Sequence, residues 1–377
     1  MKVAKTHAGA WLVLAGALLS PGTVAADHTV LPLTSLPRLE KLERTRVTVS
    51  GLSSGGFFAH QFHVAHSGLV KGAGIVAGGP YACAEQAPFW LRFYPNPQLT
   101  FALMVCSHIW RAKYPALAFW LPAAPDPNTS AAMIRDAAAH ATIDPPAHLA
   151  EARVWLFAGG KDAVVPPATV SALKRVYELM GVAAANISLV EEARANHGLP
   201  IEEFAGAGNA PACAALAPPF LIDCDYDAAK LLLAHLYPDG FQAAPAVAER
   251  GHLIRFDQTE FAGAAEPPSG MHREGYLHVP ADCANGAAGD ARCRLHVAFH
   301  GCQQSVERIH DAFYRHGGFN RWADANAIVV LYPQIAAQPV NPEGCWDWWG
   351  YSGPDYYQRT GRQIRAVKAM LDRLLGN

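Results

Sequence analysis

Short apolar runs alternate with segments of helical spacing over most of the chain. The β-branched run at 47–49, the apolar run at 72–80 and the run at 154–157 each end at a glycine-containing turn, and a helix is predicted from about Pro167. Alternation of strands with helices is typical of a parallel sheet covered on both faces. The pattern therefore predicts an α/β fold with a mostly parallel sheet and helices on both faces.

The same pattern continues in the second half of the chain. An irregular stretch at 238–248, PDGFQAAPAVA, shows no periodicity and is typical of a linker. Strands are predicted before it at 187–190 and after it in HLIRFDQ, GYLHVP, RLHVAFH and AIVVLYPQ. The residues from Gln358 to Leu375 have the spacing of a helix.

The first 26 residues have the three-part pattern of a secretory signal peptide. Two lysines precede an apolar stretch from Ala8 to Leu19, and small residues at 24–26 precede Asp27. The stretch is shorter than the roughly 20 residues that a membrane-spanning helix needs, which disfavours a membrane anchor. We therefore expect a secreted protein, extracellular or periplasmic, with a signal peptide at 1–26, no stable membrane insertion and a single domain at 27–377.

The composition is that of a globular protein, since 51% of the 377 residues are hydrophobic and 16% are charged. Lysine and arginine number 30 against 32 aspartate and glutamate, which gives a net charge of -2. This balance argues against electrostatic binding of nucleic acid or of an anionic membrane. An uncharged partner is predicted.

The eight cysteines form an even number, as expected in an oxidising compartment. No CxxC pair occurs and the flanking residues lack zinc-site spacing, so disulfides are favoured and no metal is expected. Pairing of neighbours along the chain is the simplest hypothesis, although the sequence alone leaves the connectivity open. That hypothesis joins Cys83 to Cys106, Cys213 to Cys224, Cys283 to Cys293 and Cys302 to Cys345.

The segment Gly51-Leu52-Ser53-Ser54-Gly55 matches a nucleophile elbow, in which a serine lies on a strained turn between a strand and a helix. Glycine is needed at the two flanking positions because side chains there would clash with neighbouring backbone. A β-branched run precedes the segment and a predicted helix follows it. Ser53 is therefore the candidate nucleophile, and the alternative is a glycine-rich turn with an idle serine.

A serine hydroxyl needs a base within hydrogen-bond reach, usually a histidine that a carboxylate orients. In α/β hydrolases the three residues follow in the order Ser, Asp, His, with the last two in loops after strands. Asp162 follows VWLF and His197 follows ISLVEE. Taken singly, Asp162 fits a helix cap or turn and His197 a surface loop. Their joint order predicts a triad with Ser53.

Too few residues separate the predicted signal from the Ser53 strand to form the strands that precede the elbow in such a hydrolase. The missing part is expected near the other end, where RLHVAFH runs into His300-Gly301-Cys302, a segment similar to the HG-type oxyanion loop. The N–H groups of Ser54 and Cys302 would then hold the oxyanion. We interpret this order as a circularly permuted α/β-hydrolase fold, with the linker near 238–248 joining the ancestral ends.

Aromatic residues crowd the segment CWDWWGYSGPDYY. They fit either a flat apolar platform for a polymer chain or simple core filling. The candidate substrate-binding residues are Trp346, Trp348, Trp349 and Tyr351.

Six segments together resemble the extracellular poly(3-hydroxybutyrate) depolymerases of the circularly permuted, single-domain kind. They are VSGLSSGGFFAHQFHVAH, FAGGKDAVVPP, NHGLP, LHVAFHGCQQ, FNRWADANAIVVLYPQ and NPEGCWDWWGY, and they extend over nearly all of the mature chain. The resemblance implies Ser53 as nucleophile, Asp162 and His197 as its partners, and oxyanion amides at Ser54 and Cys302. It also implies hydrolysis of a water-insoluble polyester of 3-hydroxybutyrate, with aromatics touching the polymer. No cofactor is expected.

Many relatives carry a separate linker and substrate-binding domain. We expect this chain to have neither, so that adsorption to solid polymer comes from the catalytic domain itself. Feruloyl and acetylxylan esterases share similar strand and elbow patterns, which leaves soluble or plant cell-wall esters as an alternative substrate. A polymer-binding protein without activity is a third hypothesis, which the intact Ser, Asp and His set disfavours.

Overall fold

The computed structural model describes residues 34–202, 209–243, 250–263, 269–289 and 292–377. The predicted signal peptide at 1–26 lies outside the described residues, as do positions 244–248 of the predicted linker. Residues 238–243 of that linker form neither helix nor strand. Within the described ranges, no helix is both long enough and apolar enough to cross a membrane.

Every strand predicted from the sequence is present. Two further strands have only three residues each, too few to show an alternating pattern in the sequence. The strands are β1 (Leu42–Leu52), β2 (Val70–Val76), β3 (Arg153–Gly159), β4 (Ile187–Glu192), β5 (Leu199–Ile201), β6 (Leu221–Asp223), β7 (His252–Asp257), β8 (Glu274–Val279), β9 (Cys293–Phe299) and β10 (Ile328–Tyr332).

Within the described residues, eight strands form one sheet in the order β4, β3, β2, β1, β9, β10, β8, β7, and β5 pairs with β6 separately. Neighbours from β4 to β10 are parallel, whereas β8 is antiparallel to both β10 and β7. The first strand, β1, thus lies inside the sheet and pairs with β9 from the far end of the chain. This is the order that the permutation hypothesis requires, and the permutation itself stays a prediction.

Helices connect most of the parallel strands, as the alternating pattern predicts. Helix α11 buries the apolar stripe formed by Ile364, Val367, Met370, Leu371 and Leu374. The helices are α1 (Ser54–Ala65), α2 (Pro97–Phe101), α3 (Pro115–Trp120), α4 (Pro127–Ala139), α5 (Pro167–Leu179), α6 (Ala228–Leu236), α7 (Thr259–Ala262), α8 (Val306–Ile309), α9 (Ala312–His316), α10 (Phe319–Asn326) and α11 (Arg362–Leu375).

Helices cover both faces of the sheet, as predicted. The ring of Phe299 in β9 contacts Phe58 of α1, with centroids 5.0 Å apart. His296, three positions earlier in β9, stacks on Phe319 of α10 at 5.5 Å. Side chains three positions apart on a strand point to opposite faces, so α1 and α10 pack on opposite sides. All twelve residues of α1 are buried, which makes it a central helix of the core.

Four disulfide bonds join the cysteines in the neighbouring order of the simplest hypothesis. The bond between Cys302 and Cys345 links the segment after β9 to the aromatic segment at 345–357. The bond between Cys83 and Cys106 closes the region that carries α2. Such cross-links stabilise a fold chiefly by restricting the unfolded chain, typically by about 2–4 kcal/mol each.

Candidate active site

Ser53 lies at the turn between β1 and α1, in a backbone conformation that residues other than glycine rarely adopt (φ 57°, ψ -122°). Its N–H donates to the carbonyl oxygen of Val76 at 2.9 Å, and its own carbonyl accepts from the N–H of Phe57 at 2.9 Å. These bonds hold the strained residue between β2 and the first turn of α1. The Ser53 side chain faces a cavity at the carboxyl end of β1.

The two glycines that flank the serine are required by close backbone approaches. A Cβ atom on Gly51 would lie 2.1 Å from the carbonyl oxygen of Gly55. A Cβ atom on Gly55 would lie 2.4 Å from the carbonyl oxygen of His300. Neither oxygen can move aside as a flexible side chain would, so the elbow forms only with glycine at these positions.

Asp162 follows β3, and its carboxylate is fully buried. Its Oδ1 accepts from the N–H groups of Val164 and Val165 at 2.8 Å each. Its Oδ2 lies 2.8 Å from Nδ1 of His197. Because a carboxylate only accepts hydrogen bonds, Nδ1 must carry a proton, so the neutral form of His197 has its lone pair on Nε2.

Asn196 fixes the loop that carries His197. Its Oδ1 accepts from the N–H of His197 at 2.8 Å, and its own N–H donates to the carbonyl of Cys213 at 2.9 Å. Its Nδ2 donates to the carbonyl of Ala214 at 3.1 Å. Cys213 forms a disulfide bond with Cys224, so the loop that carries His197 is hydrogen-bonded to a segment closed by a covalent cross-link. The NHGLP motif thus contains a positioning residue beside the histidine.

The loop after β9 packs against the elbow. A Cβ atom on Gly301 would lie 3.3 Å from the Cβ of Ser53. The first N–H groups of a helix have no acceptor within the helix, which leaves the N–H of Ser54 available. The structure therefore brings both predicted oxyanion donors, Ser54 and Cys302, to segments that meet at Ser53.

Two side chains of this loop shape it. The N–H of Gly301 donates to Oε1 of Gln304 at 2.7 Å, and Nε2 of Gln304 donates to the carbonyl of Pro219 at 2.8 Å. Nε2 of His300 accepts from the N–H of Ile335 at 3.1 Å, so Nδ1 carries the proton and donates to the carbonyl of Gly301 at 2.7 Å. Burial lowers the pKa of His300 to about 4, which keeps it neutral at neutral pH.

Ser53 and His197 line one cavity of about 680 Å³. Its walls are mostly apolar, and its polar lining includes Gln303, Asn341 and Glu343. No periodic pattern in the sequence predicts these walls, because they come from loops and element ends that are distant in the chain. The apolar wall consists of Leu52, Leu99, Leu103, Ile109, Trp110, Val164, Leu216, Pro218, Phe220, Val340, Pro342, Trp348 and Trp349.

The structure separates the four candidate substrate-binding aromatics. Trp348 and Trp349 line the cavity. Trp346 is 0% exposed, and its ring packs against that of Phe58 with centroids 4.4 Å apart. Trp346 therefore fills the core, and its assignment to a substrate-binding platform is wrong. The hydroxyl of Tyr351 donates to the carbonyl of Cys345 at 2.6 Å, which makes Tyr351 a support of the segment rather than a wall of the cavity.

A serine on an elbow, a histidine with a lone pair on Nε2 and a buried carboxylate behind it form the arrangement of α/β serine hydrolases. Among the described residues, no group of three His, Cys, Asp or Glu side chains is placed to hold a metal ion. The fold is α/β with a mostly parallel sheet, and Ser53, His197 and Asp162 are the candidate triad of an α/β serine hydrolase.

Comparison with known proteins narrows this class. No protein-family model matches the chain. A poly(3-hydroxybutyrate) depolymerase of Delftia acidovorans is 37% identical over 361 residues, which cover 96% of this chain but only 65% of that protein. A polyhydroxybutyrate depolymerase of Talaromyces funiculosus is 32% identical over 378 residues, which cover 97% of this chain and 96% of that protein.

Solved structures give the same result. The crystal structure of a PHB depolymerase from Penicillium funiculosum matches with a TM-score of 0.76 and 30% identity, covering 91% of this chain and 99% of that chain. A PHB depolymerase with a serine-to-alanine substitution, complexed with an R3HB trimer, matches to the same extent. The chain belongs to the polyhydroxybutyrate depolymerase family, which confirms the resemblance seen in its sequence.

Proposed function

We propose that this chain is a serine esterase that hydrolyses the ester bonds of poly(3-hydroxybutyrate) or a related short-chain polyhydroxyalkanoate. The observation that carries the proposal is that Ser53 and His197 line one largely apolar cavity in a member of the polyhydroxybutyrate depolymerase family. A polyester segment is uncharged and carries short alkyl side chains, so an apolar wall with a few polar groups suits it.

Ser53, His197 and Asp162 act as the catalytic triad in this proposal. Nε2 of His197 takes the hydroxyl proton as Oγ of Ser53 attacks the ester carbonyl carbon, and then gives that proton to the departing alcohol. Water attacks the resulting acyl-enzyme by the same route, releases the acid and restores Ser53. Asp162 keeps the proton of His197 on Nδ1 and stabilises the imidazolium that forms in each step.

The N–H groups of Ser54 and Cys302 form the oxyanion hole in this proposal. Both belong to segments that other contacts already hold in place, the first turn of α1 and the loop shaped by His300 and Gln304. Donors fixed before the reaction need no reorganisation when the negative charge develops, which is the main source of their effect. The proposal also includes export through the signal peptide at 1–26 and a single permuted catalytic domain at 27–377.

Exposed aromatic side chains on α3, the helix that follows the cavity-lining residue Trp110 in the chain, support contact with a solid polymer. Trp110 lines the cavity and its ring contacts that of Tyr114 at 5.6 Å, directly before α3. Helix α3 buries none of its residues, and it exposes Phe119 by 81% and Trp120 by 73%. An apolar surface of this kind marks an interaction site rather than a core element. We propose that it adsorbs the polyester.

Replacing both Phe119 and Trp120 by glutamine should weaken adsorption to polymer granules at least about fivefold, since each exposed aromatic ring loses its apolar contact area. Turnover of a soluble aryl ester should stay near the wild-type rate, because neither residue lines the cavity. Co-sedimentation with granules gives the first quantity and absorbance kinetics the second. The matched control is Leu231→Gln, an exposed apolar residue on α6. Equal adsorption by the double variant and the wild type would refute the surface assignment.

The test of the proposed function is loss of turbidity from a poly(3-hydroxybutyrate) suspension, with the released products identified by mass. The purified wild-type protein should clear the suspension and release 3-hydroxybutyrate or its short oligomers, and Ser53→Ala should not. Ser53-dependent cleavage of soluble aryl or feruloyl esters without clearing would instead favour the soluble-ester alternative. Binding to the polymer without hydrolysis of any ester would favour the binding-protein alternative.

A further inference from the structure

Asp347 is a fully buried carboxylate whose hydrogen bonds are all local. Its Oδ1 accepts from the N–H groups of Trp349 (3.2 Å), Gly350 (2.7 Å) and Tyr351 (3.2 Å). Its Oδ2 accepts from the N–H (2.8 Å) and the hydroxyl (2.6 Å) of Ser352. Five donors around one carboxylate curl the chain from 347 to 352 into a single tight loop.

The residue is also attached to the core through its own backbone. Its N–H donates to Oε1 of Gln363 in α11 at 2.9 Å, and its carbonyl accepts from Nε2 of Gln61 in α1 at 3.0 Å. The side chain therefore shapes a loop whose starting point two helices hold in place.

The loop carries two of the aromatic walls of the cavity. Trp348 and Trp349 both line it, with their rings perpendicular and 5.8 Å apart. Trp348 also packs on Phe57 of α1 at 4.6 Å. Asp347 itself does not line the cavity, so any influence on substrate passes through these two tryptophans.

We propose that Asp347 is a positioning residue for substrate binding, which places Trp348 and Trp349 against an extended polyester segment without taking part in the chemical step. Ser53 and the loop at 300–302 also have contacts outside the loop at 347–352, those with Val76 and Gln304. The disulfide bond to Cys302 and the hydrogen bond to Ser54 come from Cys345 and Trp346, which precede that loop. The inference rests on the proposed function, because it takes an extended ester as the substrate.

The experiment compares wild-type protein with Asp347→Asn on two substrates, the soluble trimer of 3-hydroxybutyrate and p-nitrophenyl acetate. Asparagine keeps the size but turns an NH₂ group toward at least two of the five donors, so the loop must shift. We expect KM for the trimer to rise about tenfold or more, whereas kcat for the acetate, whose acyl group is much shorter than the trimer, changes by less than about threefold. Tryptophan fluorescence should shift with the loop.

Labelling of Ser53 with a serine-directed phosphonate measures the fraction of protein that has an active site. This fraction separates a loss of folded protein from a loss of substrate binding. Ser352→Ala is the milder variant, which removes one of the five donors and should raise the trimer KM in the same direction by a smaller factor. If Asp347→Asn does not fold, the trimer KM of Ser352→Ala tests the proposed positioning role.

A trimer KM that stays at the wild-type value in the folded variants would overturn the inference. An equal loss of kcat on both substrates at a full active-site count would also overturn it, because that result places Asp347 in support of the chemistry. Failure of the proposed function is distinguishable, since the wild-type protein itself would then leave the trimer uncleaved.

Discussion

Replacing Ser53 by alanine should lower kcat for ester hydrolysis by about 10⁶-fold, the loss typical of a triad nucleophile. The oxyanion donors and the cavity remain, so a small residual rate above that in water is expected, and KM should change little. His197→Ala should lower kcat by about the same factor. The variant that carries both substitutions should lose no more than either single variant, because the two residues act as one unit. Initial rates on a soluble aryl ester, with phosphonate labelling to detect wild-type contamination, give the measurement.

The neighbouring serine supplies the matched control. Ser54→Ala keeps the backbone N–H assigned to the oxyanion hole and loses only the hydrogen bond that Oγ of Ser54 accepts from the N–H of Trp346 at 3.3 Å. Loss of one neutral hydrogen bond should lower turnover by at most about tenfold. The assignment of the nucleophile fails if Ser54→Ala abolishes turnover and Ser53→Ala does not.

The nucleophile elbow and its candidate partners could be predicted from the sequence because they depend on local backbone geometry and on strand order. The elbow needs glycine on both sides of Ser53, and the close approaches at Gly51 and Gly55 explain why the motif is so short and so recognisable. The positions of Asp162 and His197 follow from strand order, since the loops after parallel strands meet at one edge of the sheet. The loop at 300–302 was predicted on other grounds, its similarity to an HG-type oxyanion loop, and the pairing of β1 with β9 brings it to the same edge.

The walls of the cavity were not open to prediction in this way. The sequence does not distinguish the three tryptophans of the aromatic segment. In the structure, Trp346 fills the core, whereas Trp348 and Trp349 line the cavity. Which face an aromatic side chain occupies in an irregular segment depends on long-range contacts, here those of Asp347 with its loop and of Trp346 with α1. The exposure of Phe119 and Trp120 could not be predicted either, because the sequence of a short apolar segment indicates burial unless its structural neighbours are known.

Replacing Asp162 by asparagine should lower kcat by about 10⁴-fold with little change in the fold, because the substitution inverts the tautomer of His197. The N–H groups of Val164 and Val165 both point at Oδ1, so the amide oxygen of asparagine must stay there. Its NH₂ group then faces Nδ1 of His197, which becomes an acceptor and moves the ring proton to Nε2. A protonated Nε2 cannot take the proton of Ser53.

A second buried His and Asp pair in the same chain allows a matched control for this prediction. Nε2 of His278 lies 2.8 Å from Oδ1 of Asp324, whose Oδ2 accepts from the N–H groups of Arg250 and Gly251, and this pair does not line the cavity. Asp324→Asn should lower the unfolding temperature, because hydrogen bonds to a carboxylate are stronger than those to a neutral amide, but leave kcat within about threefold. Thermal unfolding and aryl-ester kinetics on both variants separate the two effects. Equal kcat losses in the two variants would show that Asp162 contributes to folding alone, and a wild-type rate for Asp162→Asn would remove it from the triad.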